Sequence, residues 1–214
     1  MSRGGLLSGR MLDFNFLPSL TLHPSRYASF KPGDLSSLMA RSATWQSTWH
    51  RHWSREILKE LNVGLVSDLE QAELVVGLLP PATMNRLALH IAAVVHGPQL
   101  RHTIEGSRVR AMRDSLGEDL FAFTWRRAPE YAMIDLPLTA MPINLSKWEL
   151  VGHGIILMAI SDAEPAVARR IELKLPAKSR DGLCPLPQKP ALDLCLRVLK
   201  DLDSAWYFSF PVVH

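Results

Sequence analysis

"PATMNRLALHIAAVVHGPQLRHTIEG", Pro81 to Gly106, sets Met84, Leu87, Ala88, Ile91, Val94 and Val95 three and four residues apart. That spacing is one face of an α-helix, and Pro81, which has no amide hydrogen to lose, suits its first turn. The pattern stops at Gly97-Pro98, the expected end of the helix. His90 shares the more polar side with Asn85 and Arg86, and His96 falls in the last turn, where unpaired carbonyl groups await a donor. A metal site would need His90, His96 and His102 to converge across the Gly-Pro break, without the flanking acid of a pattern such as H-E-x-x-H. The stretch reads as a helix and a joint, and its histidines are expected to hold no metal and carry no reaction.

The same period recurs along the chain. Asp34 to Asn62 contains neither Pro nor Gly and spaces Trp45, Trp49, Trp53 and Ile57 by four, a stripe that reads as core-facing rather than as an aromatic ligand box. His50 and His52, two apart, point away from each other on such a helix. Ser67-x-x-Glu70 has the form of a capping box and opens a short amphipathic stretch with Leu69, Ala72, Val76 and Leu79. Residues 99–105 begin another helical piece. "SRVRAMRDSLG" gives a third, with Val109, Met112 and Leu116 on one side and Arg108, Arg110 and Arg113 largely off it. Glu118 to Trp125 forms a short helix. Ser146, or Asn144 before it, can cap "KWELVGHGIILMAIS", whose Gly152 and Gly154 imply close packing against a neighbour. "EPAVARRIELKLPAK" continues as helix running toward a strand, and "ALDLCLRVLKDLDSAW" is a final amphipathic helix with Leu192, Cys195, Leu196 and Leu199 on one side.

Prolines 18, 24 and 32 restrict the residues before them, so 1–33 reads as an irregular lead-in. A long connection runs from Ala128 to Pro142, and 176–190, with prolines at 176, 185, 187 and 190, is a Pro-rich connection expected to be extended. No internal repeat shows. The expected fold is mainly α: a single, irregular multi-helix domain over 1–214, with Pro-rich loops and little or no sheet.

Composition narrows the function. A chain of 214 residues, 47% apolar, buries roughly 70% of its unfolded surface and needs no metal or disulfide staple. Its two cysteines, Cys184 and Cys195, form no C-x-x-C pair, which fits a reduced, cytoplasmic setting. Leu6 and Leu7 are too short an apolar run for a secretory signal, and Leu150 to Ile160 is about half a bilayer span, so no membrane insertion is expected. The net charge is only +3 and the basic residues alternate with acids, so no nucleic-acid partner is expected. There is no glycine-rich phosphate loop, no G-x-S-x-G elbow and no zinc-protease motif. Glu118 and Asp119 are adjacent and diverge on a helix, and Cys195 on an apolar face is an inert small hydrophobe. The chain reads as a non-enzyme without a cofactor, with Arg101, Arg108, Arg110 and Arg113 as the candidate partner-binding residues. Two other readings stand beside it: a hydrolase or transferase built from dispersed His and acidic residues, and a helical nucleic-acid module using the same arginines against phosphates.

Four stretches in order, "FNFLPSLTLHPSRY", "VVHGPQLRHTI", "RRIELKLP" and "LDLCLRVLKDL", together resemble the SctK family of type III secretion proteins, the group that includes YscK and PscK. The resemblance spans most of the chain, and none of the four is a catalytic signature. It implies a cytoplasmic, non-enzymatic adaptor of the sorting platform, peripheral to the inner-membrane base of the injectisome. Such a subunit links the inner-membrane ring protein SctD to the pod protein SctQ, which connects through SctL to the ATPase SctN.

Overall fold

The computed structural model describes residues 3–30, 43–101, 106–131, 144–182 and 186–211. Its helices in chain order are α1 (Arg3–Phe16), α2 (Ala43–Leu61), α3 (Glu73–Gly77), α4 (Pro81–Arg101), α5 (Gly106–Leu116), α6 (Glu118–Arg126), α7 (Leu145–Ala159), α8 (Pro165–Lys174), α9 (Gln188–Leu202) and α10 (Ser204–Tyr207). No strand occurs among the described residues, so the mainly helical fold expected from the apolar spacing is what forms. Contacts group the chain into two compact units: 1–81 with 162–177 and 205–214, and 82–161 with 178–204.

The first unit is built on the tryptophan stripe. Trp49, Trp53 and Ile57 of α2 are buried with Leu22 and Leu173, and Phe30 and Leu61 pack at the edge. Burying each of these large side chains is worth about 1.5–3 kcal/mol. The side chain of Trp45 and residues 34–42 of the predicted helix lie outside the described residues. Trp53 keeps its indole N–H satisfied by donating to Phe30 O at 2.7 Å. Pro18 and Pro24 each open a 3-10 turn rather than an extended run. The second turn is tied to α8: His23 N donates to Leu173 O at 2.9 Å and Arg26 Nε to Leu175 O at 2.8 Å. Asn15 acts like a strand partner for Val66, donating from Nδ2 to its O at 2.7 Å and accepting from its N at 2.8 Å.

Lys174, at the end of α8, is almost fully buried. Its Nζ donates to Gly77 O at 2.6 Å and to Leu79 O at 2.8 Å, and lies 5.8 Å from the centre of the Phe14 ring. The carbonyls left without a helical partner where α3 ends are thus satisfied by a side chain far along the chain. Trp206 adds a second such tie, its Nε1 donating to Val75 O at 2.8 Å.

The second unit is set by close helix approach. A Cβ on Gly152 of α7 would stand 1.9 Å from Ala88 O of α4, so only glycine permits this crossing. α9 packs along α7, and Gln188 Nε2 donates to Ala159 O at 3.0 Å where α7 ends. Asn144 caps α7 as one of the two residues expected to, its Oδ1 accepting from Lys147 N at 3.1 Å.

Several local expectations are corrected. The lead-in expected to be irregular holds the 14-residue α1. Leu7 and Phe14 are buried at helical spacing, and this burial overrides the low propensity of Gly4, Gly5 and Gly9. Ser67 and Glu70 form no capping box. Glu70 N is taken by Asp68 Oδ1 at 2.7 Å and the helix begins only at Glu73. α4 does not end at Gly97-Pro98 but runs to Arg101. An interior proline costs about 3 kcal/mol. Continued burial offsets it here: Leu100 is buried, and a Cβ on Gly97 would lie 3.3 Å from Ala128 Cβ. After α8 the chain makes a 3-10 turn, Ala177–Gly182, where a strand and then an extended run were expected. The final helix breaks at Asp203 into α9 and α10.

Candidate partner-binding site

α5 is amphipathic in the expected sense. Met112 and Leu116 are buried, Val109 is half-buried, and Arg108 and Arg110 are exposed. Arg113 Nε stands 3.3 Å from Glu118 Oε2, and its guanidinium carbon lies 5.2 Å from the centre of the Phe121 ring. Phe121 in turn stacks on Trp125 at 5.0 Å. The turn at Gly117, whose φ of 74° is a conformation that favours glycine, brings α6 back onto α5 and makes these contacts possible. Arg113, exposed like Arg108 and Arg110, is therefore engaged in the α5–α6 corner. Arg101 ends α4, and its side chain lies outside the described residues, as does the expected helical piece at 102–105.

Beside this corner is an open groove of about 450 Å³. Leu89, Leu116, Leu120 and Leu145 supply its apolar lining, with His90 and Arg86 from α4 and the acids Glu118 and Asp119 from α6. His90 Nδ1 donates to Arg86 O at 2.8 Å, and its ring meets Phe123 edge-on at 4.7 Å. Burial is the main cause that lowers the His90 pKa, holding the ring neutral. With Nδ1 donating to a backbone carbonyl, the neutral ring carries its lone pair on Nε2.

Other described histidines also make ring or hydrogen-bond contacts. His96 is buried and stacks on Trp148 with ring centres 5.2 Å apart. Neither ring nitrogen has a hydrogen-bond partner among the described residues. The expected helix-end role for His96 is absent because α4 continues past it. Burial alone lowers its pKa. His153 Nε2 lies 3.1 Å from Asn85 Oδ1, to which it donates, and His50 Nδ1 lies 2.9 Å from Ser19 Oγ. His102 and Cys184 lie outside the described residues. Among those described, no three His, Cys, Asp or Glu side chains converge to hold a metal ion, and no helix is long and apolar enough to cross a membrane. Cys195 is buried, and burial pushes its thiol pKa far up.

The sequence missed the polar ties between distant residues. Arg127 donates to Asp201 Oδ1 at 2.7 Å and pairs with Glu130 at 2.9 Å, and the Tyr131 hydroxyl donates to Asp201 Oδ2. This network fastens the turn Ala128–Tyr131 to the end of α9. Partners some seventy residues apart carry no spacing signal that could have found it.

The described residues thus form an all-helical fold with an open groove beside the α5–α6 corner. The family model described as YOP proteins translocation protein K (YscK) matches residues 11–210. The chain belongs to the YscK family. Its fold is similar to a solved structure, the cytoplasmic domain of the T3SS sorting platform protein PscK from P. aeruginosa. The two share 21% identity, with 92% of this chain and 96% of that one covered, at a TM-score of 0.59. No curated protein matches the chain.

Proposed function

We propose that this chain is a non-enzymatic, cytoplasmic adaptor of the type III secretion sorting platform, peripheral to the inner-membrane base of the apparatus. It links the ring protein SctD to the pod protein SctQ, and through SctQ reaches SctL and SctN. The observation that carries the reading is the YscK family match over 11–210, which supports a role in type III secretion. The exposed basic residues of α5 are consistent with a binding role. We treat 1–214 as one domain. The chain passes between the two units after residues 81, 161, 177 and 204, so neither is a contiguous segment that could be cut out and folded alone.

Arg101, Arg108 and Arg110 are the residues we assign to an acidic partner surface. Arg113 takes part in the α5–α6 corner. Reversing Arg108→Glu together with Arg110→Glu should slow association with purified SctD cytoplasmic domain or SctQ about tenfold at low salt, less at moderate salt, because exposed charges act mainly on the encounter. Thermal melting should be unchanged. Equal binding of wild type and variant to both partners would move the interface off α5. A wild-type protein that binds neither would remove the adaptor reading itself.

A further inference from the structure

We infer that the outer face of α1 is a second docking surface, shaped for an amphipathic helix of another protein that presents an uncharged, aliphatic side. α1 turns Leu7, Phe14 and Asn15 inward, while Leu12 and Phe16 remain 59% and 49% exposed. Leu20, four residues further on, is 45% exposed, and Leu65 is 61% exposed. Leu65 belongs beside them, because the paired hydrogen bonds of Asn15 to Val66 hold its neighbour against the end of α1. Isolated surface leucines need no explanation, but four large apolar side chains on a pinned backbone form a patch.

The size and charge of the patch select its occupant. The exposed parts of the four side chains amount to on the order of 400 Å², in the range of a functional patch on a monomer. A second copy meeting this face across a two-fold axis would bury about half of the roughly 800 Å² per partner of a stable interface. A single helix has an apolar stripe of matching width. Leu12 and Phe16, four apart, make the ridge against which the rows of such a helix pack. A Cβ on Gly9 would meet nothing within 4 Å, so the N-terminal end of the ridge is open to close approach. No charged residue stands at 8, 9, 12, 16 or 20. The nearest charges on α1, Arg10 and Asp13, are half-buried and act on Lys174. A helix bearing a charge against Leu12 and Phe16 would find no opposite charge at these positions of α1, which favours a partner face that is uncharged there.

This inference rests on the adaptor reading, which supplies SctD and SctQ as the partners. Wild type, Leu12→Ser/Phe16→Ser and Arg108→Glu/Arg110→Glu would each be titrated against purified SctD cytoplasmic domain and SctQ at low and moderate salt, with sedimentation of each protein alone. The α1 variant should lose at least tenfold in affinity for one of the two partners, by the same factor at both salts, and melt like wild type. Hydroxyl-radical footprinting of the unmutated complex should show Leu12, Phe16 and Leu65 covered, which holds independently of how the variant folds. Full affinity of the α1 variant for both partners together with an uncovered Phe16 overturns the inference while leaving the adaptor role intact. Self-association of wild type abolished in the α1 variant overturns it in favour of a second copy. Failure of wild type to bind either probe overturns both readings.

Discussion

Lys174 offers the sharpest test of the first unit. Burial, with Arg10 nearby and only Asp13 opposing, lowers its pKa to about 7, against about 10.4 in an unfolded chain. Between those values the unfolded chain holds a proton that the folded chain does not, so folding stability rises with pH across the window and is lowest below about 7. Each pH unit there contributes up to about 1.4 kcal/mol, giving on the order of 4 kcal/mol over the window. The amine can donate to Gly77 O and Leu79 O in either protonation state, so the hydrogen bonds survive deprotonation.

We predict that Lys174→Met loses this dependence. The substitution leaves two carbonyls without their donor, at about 1–3 kcal/mol each, and removes a buried ionisable group at the same time. Around pH 10, near the top of the window where most of the cost of burying the amine is gone, the variant is therefore the less stable protein. Toward pH 7 the difference shrinks by up to about 4 kcal/mol, and it can change sign. Guanidinium unfolding followed by circular dichroism from pH 6 to 10 measures both proteins, and subtracting one from the other cancels the remaining titrating groups. Parallel curves, with a constant gap across that range, would falsify the assignment of a displaced titration to Lys174.

Two further outcomes follow from the second unit. Gly152→Ala places a Cβ 1.9 Å from Ala88 O and 2.4 Å from its carbonyl carbon. Backbone cannot swing aside, so we predict a loss of about 3 kcal/mol or more, and a melting temperature lower by at least about 6 °C. A shift under about 1 °C would mean that the α4–α7 crossing is not this close. His96→Phe keeps a ring against Trp148 and removes two nitrogens that have no partner among the described residues. It should leave stability unchanged or raise it by about 1–3 kcal/mol. The imidazole, kept neutral by burial, withholds a proton that the unfolded chain takes up below about pH 6.5, so wild type loses stability as the pH falls through that point and the variant loses less. A clear loss of stability near neutral pH would show that His96 makes a polar contact after all.

What the sequence made legible was whatever period alone can carry. Trp49, Trp53 and Ile57 announced the buried face of α2, Met84 to Val95 that of α4, and Asn144 the start of α7. Each signal lies within one element. The errors arose where a distant partner overrode a local rule. Gly4, Gly5 and Gly9 argue against a helix until Leu7 and Phe14 are buried. Pro98 argues for an end to α4 until burial on either side holds the helix together. The Ser67 capping box has correct spacing and no helix to cap, because Asp68 captures Glu70 N first.

The candidate surfaces divide along the same line. An arginine off an apolar stripe is legible as exposed, and Arg108 and Arg110 are. Arg113 shares their pattern and exposure on α5, and what the pattern does not show is its contact with Glu118 and Phe121, which come within reach only through the turn at Gly117. The converse holds for α1. Leu12 and Phe16 would be scored as core by any measure of hydrophobicity, and only the tertiary choice of Leu7, Phe14 and Asn15 as the inward side leaves them in solvent. An apolar docking face is therefore the feature least visible to sequence reasoning. Its residues are those a core would use, and what marks them is that the core has already been built from their neighbours.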